Sequence, residues 1–379
     1  MGIFKKKTKI FKIKDIDGLN SAEDRKAIAE AAKLIEEGSL VAFPTETVYG
    51  LGANALDAKA VKKVYKAKGR PSDNPMIVHI CRASDIGAVT PKLSPIIVTL
   101  IEQFWPGPLT LVVNKKECVP MTTTGGLDTV AVRMPDNPIA LELIRLAGCP
   151  IAAPSANLSG KPSPTKGEHV VDDLDGIIDG IIIGGECRVG IESTVLDVTS
   201  GKLTILRPGI ITAEDISVAT GKKVMMHPSL LEKHNEPKEM ESEEELEELD
   251  ASYFETGEEN SHRSHYQDAF IAKSPGMKYK HYAPNAKMLV VEGQREKVKK
   301  EIERLKGLNE QLGNKVGVIL FEEKAFVEAA NKFFAELREL DKEEVDLILA
   351  GALSDTDGVG FAVMNRMMKA AGYNIVKVN

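Results

Sequence analysis

Twelve acids and one lysine crowd residues 235–260 (NEPKEMESEEELEELDASYFETGEEN), and no packed core can take in such a run. Like charges at that density repel each other and have no apolar face to bury. The stretch is therefore expected to be solvated, and to lie between separate folded regions of a 379-residue chain that is too long for one ordinary domain. It carries a local charge of −11 against a formal total of −7, which leaves about +4 on the other residues. The pI of 5.7 thus hides a mildly basic folded portion and says little about affinity for anions.

Upstream of the run the pattern is mixed α/β. TKIFKIK alternates as a strand, EDRKAIAEAAKLIEEG reads as an amphipathic helix closed by Gly38, and SLVAF as a buried strand. IIVTLIEQFW, IALELIRLAG and TILR continue the mixture to about Thr212, between turns rich in proline and glycine. Downstream, SPGMKYKHYAPNA is irregular, yet too aromatic for an idle tether. From Lys287, the strands MLVVEG, KVGVILF and VDLILAG alternate with helical segments, which predicts a small parallel sheet with right-handed crossovers.

Several classes are excluded early. No apolar run approaches the roughly 20 residues that span a bilayer, and the basic start MGIFKKKTKIFKIK lacks the apolar core of a secretory signal. The cysteines Cys81, Cys118, Cys149 and Cys187 form no CxxC pair, which argues against both a disulfide framework and a zinc knuckle. A soluble, reduced, cytoplasmic protein without membrane contact is expected. The segment Gly50-Leu-Gly52-Ala-Asn-Ala55 matches GxGxxA, but Pro44 to Tyr49 separate it from the preceding strand, so it is not read as a dinucleotide fingerprint.

The polar constellation lies in four turns. PTET puts Thr45, Glu46 and Thr47 after a buried strand, either as ligand groups or as a self-capped turn. KAKGRPSDNPMIVHI gathers Lys66, Lys68 and Arg70 in a loop tightened by Gly69 and two prolines, with Asn74 and His79 beyond. His79 is open to a core role as well. TVAVRMPDNP sets Arg133 in an alternating strand, where it needs either a ligand carboxylate or an internal acid. PIAAPSANLSGKPSPT supplies Ser155, Asn157, Ser159, Ser163 and Thr165 among small residues, and IESTVLD and LRPG add Ser193, Thr194 and Arg207. Cations and hydroxyls with few acids suit a polyanion such as a nucleoside triphosphate. No nucleophile–base pair is evident, so catalysis is expected from positioning and charge stabilisation.

These segments, together with FPTETVYGLG and FWPGPLTLVV, resemble threonylcarbamoyl-AMP synthases, the YrdC/Sua5 family, from roughly Ile13 to Thr212; SPGMKYKHYAP and the end of the chain resemble the linker and C-terminal domain of the two-domain Sua5 type. The resemblance implies a YrdC-like twisted mixed sheet with a concave cleft over 10–216, a linker and lid over 217–285, and a small Rossmann-like parallel α/β domain over 286–379. It implies that L-threonine, bicarbonate or CO2, and ATP give threonylcarbamoyl-AMP for tRNA modification, with Mg²⁺ accompanying ATP and no protein side chain assigned to metal. Matched position by position, Thr47, His79, Arg133, Ala153 and Ser193 would hold threonine. Lys68, Arg70, Asn74, Thr129, Ser155, Ser163, Arg207 and Tyr282 would hold ATP, with Tyr279 the alternative lid tyrosine. Proteins of the tRNA-modifying complex are implied partners. The acidic stretch is longer than the family leads one to expect and should weaken direct tRNA binding. Two rivals are an RNA-binding module of the same fold and a carbamoyl transferase of the hydrogenase-maturation type, though the latter carries cysteine motifs that this chain lacks.

Overall fold

Short polar residues start several of the helices, and glycine ends some of them. The Ser21 side chain caps α1 (Ala22–Glu36), and Asp57 caps α2 (Ala58–Lys68), which Gly69 closes in the left-handed conformation. Proline occupies the first turn of α3 (Pro95–Phe104) and of α4 (Pro138–Ala147), the latter capped by Asn137 and closed by Gly148. The computed structural model describes residues 7–231, 277, 282–354 and 358–378. The acidic stretch, most of SPGMKYKHYAP and Tyr279 lie outside the described residues.

Among the described residues, eleven strands form one mixed sheet. In chain order they are β1 (Lys9–Lys12), β2 (Val41–Phe43), β3 (Gly50–Asn54), β4 (Ile77–His79), β5 (Leu109–Asn114), β6 (Thr129–Arg133), β7 (Ile151–Ala152), β8 (Gly180–Ile183), β9 (Thr194–Asp197), β10 (Leu203–Arg207) and β11 (Val224–Met226). In space the order is β1-β8-β2-β3-β7-β4-β6-β5-β9-β10-β11. This is the expected mixed sheet, and it runs on to Met226, past residue 216. Gly50 and Gly52 lie inside β3, paired antiparallel with β2, so the GxGxxA segment is a strand and opens no helix. A side chain at Gly52 would stand 2.8 Å from Ile151 and 2.9 Å from Phe43; these glycines serve close packing.

Strand alternation sorts the core. Val41 and Phe43 of β2 face α1 and α4, whereas Ala42 joins the cluster that packs α2, α3, α5 (Gly167–Leu174) and α6 (Ala213–Thr220). In β6, Val130 and Val132 belong to that second cluster, which leaves Ala131 and Arg133 on the opposite face. Ala131 packs there with Ile77, Val112, Val195 and Leu206 in a small apolar patch.

The C-terminal region alternates β12 (Lys287–Gly293), α7 (Arg295–Gln311), β13 (Val316–Ile319), α8 (Phe326–Lys342), β14 (Leu347–Gly351), α9 (Val359–Ala370) and β15 (Ile375–Val378). Its sheet, β13-β14-β12-β15, is parallel throughout; β15 is a fourth strand that the alternation alone had not supplied. This region docks on the first through Val48, Val189 and Ile191, which share one core with Phe333, Phe334 and Leu337. Arg338 holds Asp173 at 2.7 Å and donates to the Pro162 carbonyl, and Asn331 donates to the carbonyls of Cys187 and Arg188.

At Gly190, φ is +83° and a Cβ would lie 2.4 Å from Asn331 Cα, so backbone meets backbone at the junction. Gly190→Ala is expected to cost about 1–3 kcal/mol. It should lower the midpoint of unfolding and make the linker region more sensitive to limited proteolysis. A melting curve and a digestion pattern unchanged from wild type would contradict this.

Candidate functional site

Register builds the site. β4 and β6 run parallel with His79 opposite Arg133, and β7 runs antiparallel to β4 with Ile151 opposite His79. Arg207, at the end of β10, lies opposite Val195 near the start of β9, two residues after Ser193. These strand ends meet on the sheet face that carries Ala131, and a cavity opens there. All five residues matched to threonine (Thr47, His79, Arg133, Ala153 and Ser193) line it. Of those matched to ATP, Arg70, Ser155, Arg207 and Tyr282 line it too.

The other four lie away from the cavity wall. The Lys68 amine is buried and donates to the carbonyls of Ser155 and Asn157, fastening the 155–157 loop behind the wall. Burial, then the nearby Arg70 charge, holds its pKa well below the usual lysine range. Ser163 donates to Glu192 Oε1 at 2.6 Å. The Asn74 side chain is buried with no hydrogen-bond partner among the described residues. Thr129 starts β6, paired with Asn114 at the far end of the strand from Arg133.

Arg133 finds the internal acid that was the alternative to a ligand. Its Nη2 lies 2.5 Å from buried Glu46 Oε1, Nη1 donates to Thr47 Oγ1 at 2.8 Å, and Nε donates to the Gly107 carbonyl at 3.1 Å. Glu46 accounts for the charge of Arg133, but it leaves hydrogen bonding incomplete. Arg133 Nη2 and both Glu46 oxygens lack a hydrogen bond of good geometry among the described residues. Glu46 sits behind the arginine and does not line the cavity, whereas Arg133 does. In the same turn Thr45 donates to the Val48 carbonyl at 2.7 Å and so caps the turn, as one of its two readings had it.

Among the described residues, three arginines face the cavity against a single lining carboxylate, Glu192. Burial alone would raise the Glu192 pKa, but Arg366, Arg207 and the Ser163 hydroxyl outweigh it and keep the group ionised. Arg207 is pushed down to about 10 by burial, with Glu192 and Tyr282 opposing and Arg366 and Arg133 adding repulsion. Tyr282 has φ +68°, stacks its ring 5.1 Å from Phe334, and is pushed up to about 12 by burial and by Glu192 beside it. A non-glycine residue at such φ costs of order 1 kcal/mol, the kind of local strain found where a side chain must be aimed. Sequence reasoning missed Glu192 as a lining group, although an acid between Ile191 and Ser193, in an otherwise apolar and hydroxyl segment, was the available signal.

The His79 ring donates from Nδ1 to the Ile77 carbonyl, which leaves Nε2 with a lone pair. Burial, reinforced by Arg133, pushes its pKa down to about 3. The folded pKa lies below the ordinary 6.5, so the stability held by neutral His79 is complete above that pH and is lost as pH falls toward 3. Buried His169, also pushed down to about 3, behaves alike. Replacing His79 with Asn should flatten the acid side of the stability profile by up to about 1.4 kcal/mol per pH unit. Denaturant melts at several pH values between the two limits test this, and parallel slopes would count against it.

A family model described as telomere recombination matches residues 33–209, and one described as the C-terminal domain of threonylcarbamoyl-AMP synthase matches residues 241–372. The chain is 46% identical over 358 residues to the threonylcarbamoyl-AMP synthase of Pyrococcus abyssi, covering 92% of this chain and 95% of that one. Identity to the Bacillus subtilis threonylcarbamoyl-AMP synthase is 43% over 388 residues, with coverage of 98% and 100%. The crystal structure of P. abyssi Sua5 complexed with L-threonine matches at a TM-score of 0.83 and 44% identity, over 98% of this chain and all of that one.

Proposed function

The chain belongs to the threonylcarbamoyl-AMP synthase family, and on that premise we propose that it joins L-threonine, bicarbonate or CO2, and ATP into threonylcarbamoyl-AMP, releasing pyrophosphate, and water as well when bicarbonate supplies the carbon. The observation that carries the reading is a single cavity bearing Arg133 at the threonine-matched end together with Arg70 and Arg207. The reaction brings two anions together: a carbamate oxygen attacks the α-phosphorus of ATP. Buried guanidiniums offset the repulsion, because in a water-poor site they act at low effective dielectric and need no reorganisation.

On this reading the Arg133 guanidinium, which lines the cavity, takes the threonine carboxylate, and Thr47, which accepts from its Nη1, fixes the orientation of the group. Neutral His79 adds no further charge to the amine. Arg207 and Ser155 face the phosphates, Ser193 serves threonine while its carbonyl and hydroxyl accept from Arg207, and Lys68 acts indirectly by holding the backbone of Ser155. Tyr282 forms the wall that moves, which excludes water from a labile adenylate once it is shut. Among the described residues no group of three His, Cys, Asp or Glu could hold a metal ion. Mg²⁺ would accompany the triphosphate, since it is an ion usually held by phosphates and few carboxylates. No helix among the described residues is long and apolar enough to cross a membrane, and a cytoplasmic enzyme supplying a tRNA-modifying complex fits the family.

Pyrophosphate release should require ATP, threonine and bicarbonate together, each omission abolishing it. The RNA-binding alternative predicts tighter RNA than ATP binding at equal salt and no such release. For Arg133, a lone Ala substitution strands buried Glu46, so Arg133→Ala is best made with Glu46→Gln. Relative to Glu46→Gln alone, the threonine KM should rise about tenfold or more while the ATP KM stays within about twofold. Equal losses for both substrates would falsify the assignment.

A further inference from the structure

We propose that Arg366, on α9 of the C-terminal domain, is a positioning residue for the nucleotide half of the cavity. It is fully buried, on the opposite side of Glu192 from Ser163, and does not line the cavity itself. Its Nε lies 3.2 Å from Glu192 Oε2, Nη2 donates to the Glu192 carbonyl at 3.4 Å, and Nη1 donates to the carbonyls of Pro208 and Ala362. Glu192 directly precedes Ser193 and Pro208 directly follows Arg207. One guanidinium from the second domain therefore grips the backbone beside both lining residues. Those two are themselves joined, since Arg207 donates to the Ser193 carbonyl and to Ser193 Oγ, each at 3.1 Å.

The second half of the argument is charge. Among the described residues Glu192 is the one acid on the cavity wall, and it lies within electrostatic reach of Arg207 and Tyr282. Arg366 and Ser163 between them occupy both carboxylate oxygens. Without Arg366, the charge of Glu192 falls more heavily on Arg207, which it already reaches, and a more fully neutralised Arg207 attracts phosphate less. Arg366 thus draws the carboxylate toward the second domain and lessens its hold on Arg207. A C-terminal domain whose sheet lies apart from the cavity thereby reaches its charged wall through Arg366, beside the apolar contacts that Phe334 and its neighbours make with Tyr282 and Val48.

This inference rests on the cavity being an ATP site. Its test is calorimetric titration of the full chain with ATP and, separately, with threonine, for wild type, Arg366→Met, Arg366→Lys and the double variant Arg366→Met with Glu192→Gln. Arg366→Met should raise the Kd for ATP about tenfold and that for threonine, which meets only Ser193 of the gripped pair, by no more than about threefold. Lysine keeps the charge but loses the fork, so Arg366→Lys should fall between. The double variant, with no acid left to capture Arg207, should recover some of the lost ATP affinity. If Arg366→Met does not fold, Arg366→Lys and the double variant carry the same comparison. ATP binding within twofold of wild type in the folded variants, or equal losses for ATP and threonine, overturns the proposal. A wild-type chain that binds no ATP overturns the reading of the cavity itself.

Discussion

A guanidinium held away from water must have partners, and the partners chosen here are mostly neutral. Arg70 donates to the carbonyls of Asn74 and Pro75, Arg133 to that of Gly107, and Arg207 to that of Ser193. Lys68 is held in the same way by Ser155 and Asn157. A carbonyl fixes the direction of a cation without cancelling its charge, so the positive potential of the cavity survives its own construction. Had carboxylates done this work throughout, the same arginines would be internally neutralised and of little use to an anion.

Glu46 and Glu192, the acids that do enter this region, are each placed behind or beside an arginine. Glu46 backs Arg133 from outside the cavity, and Glu192 is shared between Ser163 and Arg366. Buried ion pairs are poor sources of net stability, because desolvation offsets much of the attraction. Their value lies in geometry: each fixes where a charge stands, and each makes loss of one partner costly. The Glu192–Arg366 and Asp173–Arg338 pairs also join the two domains, alongside the apolar contact of Val189 and Ile191 with the Phe333–Leu337 face. The small parallel domain is consequently involved in the construction of the cavity, although among the described residues its own sheet contributes none to the lining.

Much of this was legible in the residues. Alternation located β1 and β6, apolar runs located β2 and β12, capping residues and glycines bounded several helices, and turns dense in arginine, serine and threonine identified the segments that meet at the cavity. The alternation in TVAVR was enough to show that Arg133 had to be charge-compensated. It could not say by what, because Glu46 lies in another turn, brought near by the register of strands that are distant in sequence. Lys68 suits a phosphate ligand for the same reason that it suits a clamp: a long flexible amine beside a tight loop serves either use, and its bonds to the Ser155 and Asn157 carbonyls could not be read from the residues. Arg366 gave no signal. An arginine among methionines near the end of a helix resembles a solvated face until the other domain is laid against it.

Sequence alone, then, determined which segments are strands and helices, which turns are polar and basic, and that a folded region lies on each side of an acidic run, since periodicity and local turn chemistry depend on near neighbours. Tertiary structure decided which cations face the cavity, which acids compensate them and how the second domain reaches the first. Those are pairings across tens to hundreds of residues, and they exist only once β4, β6, β9 and β10 are assembled into one sheet.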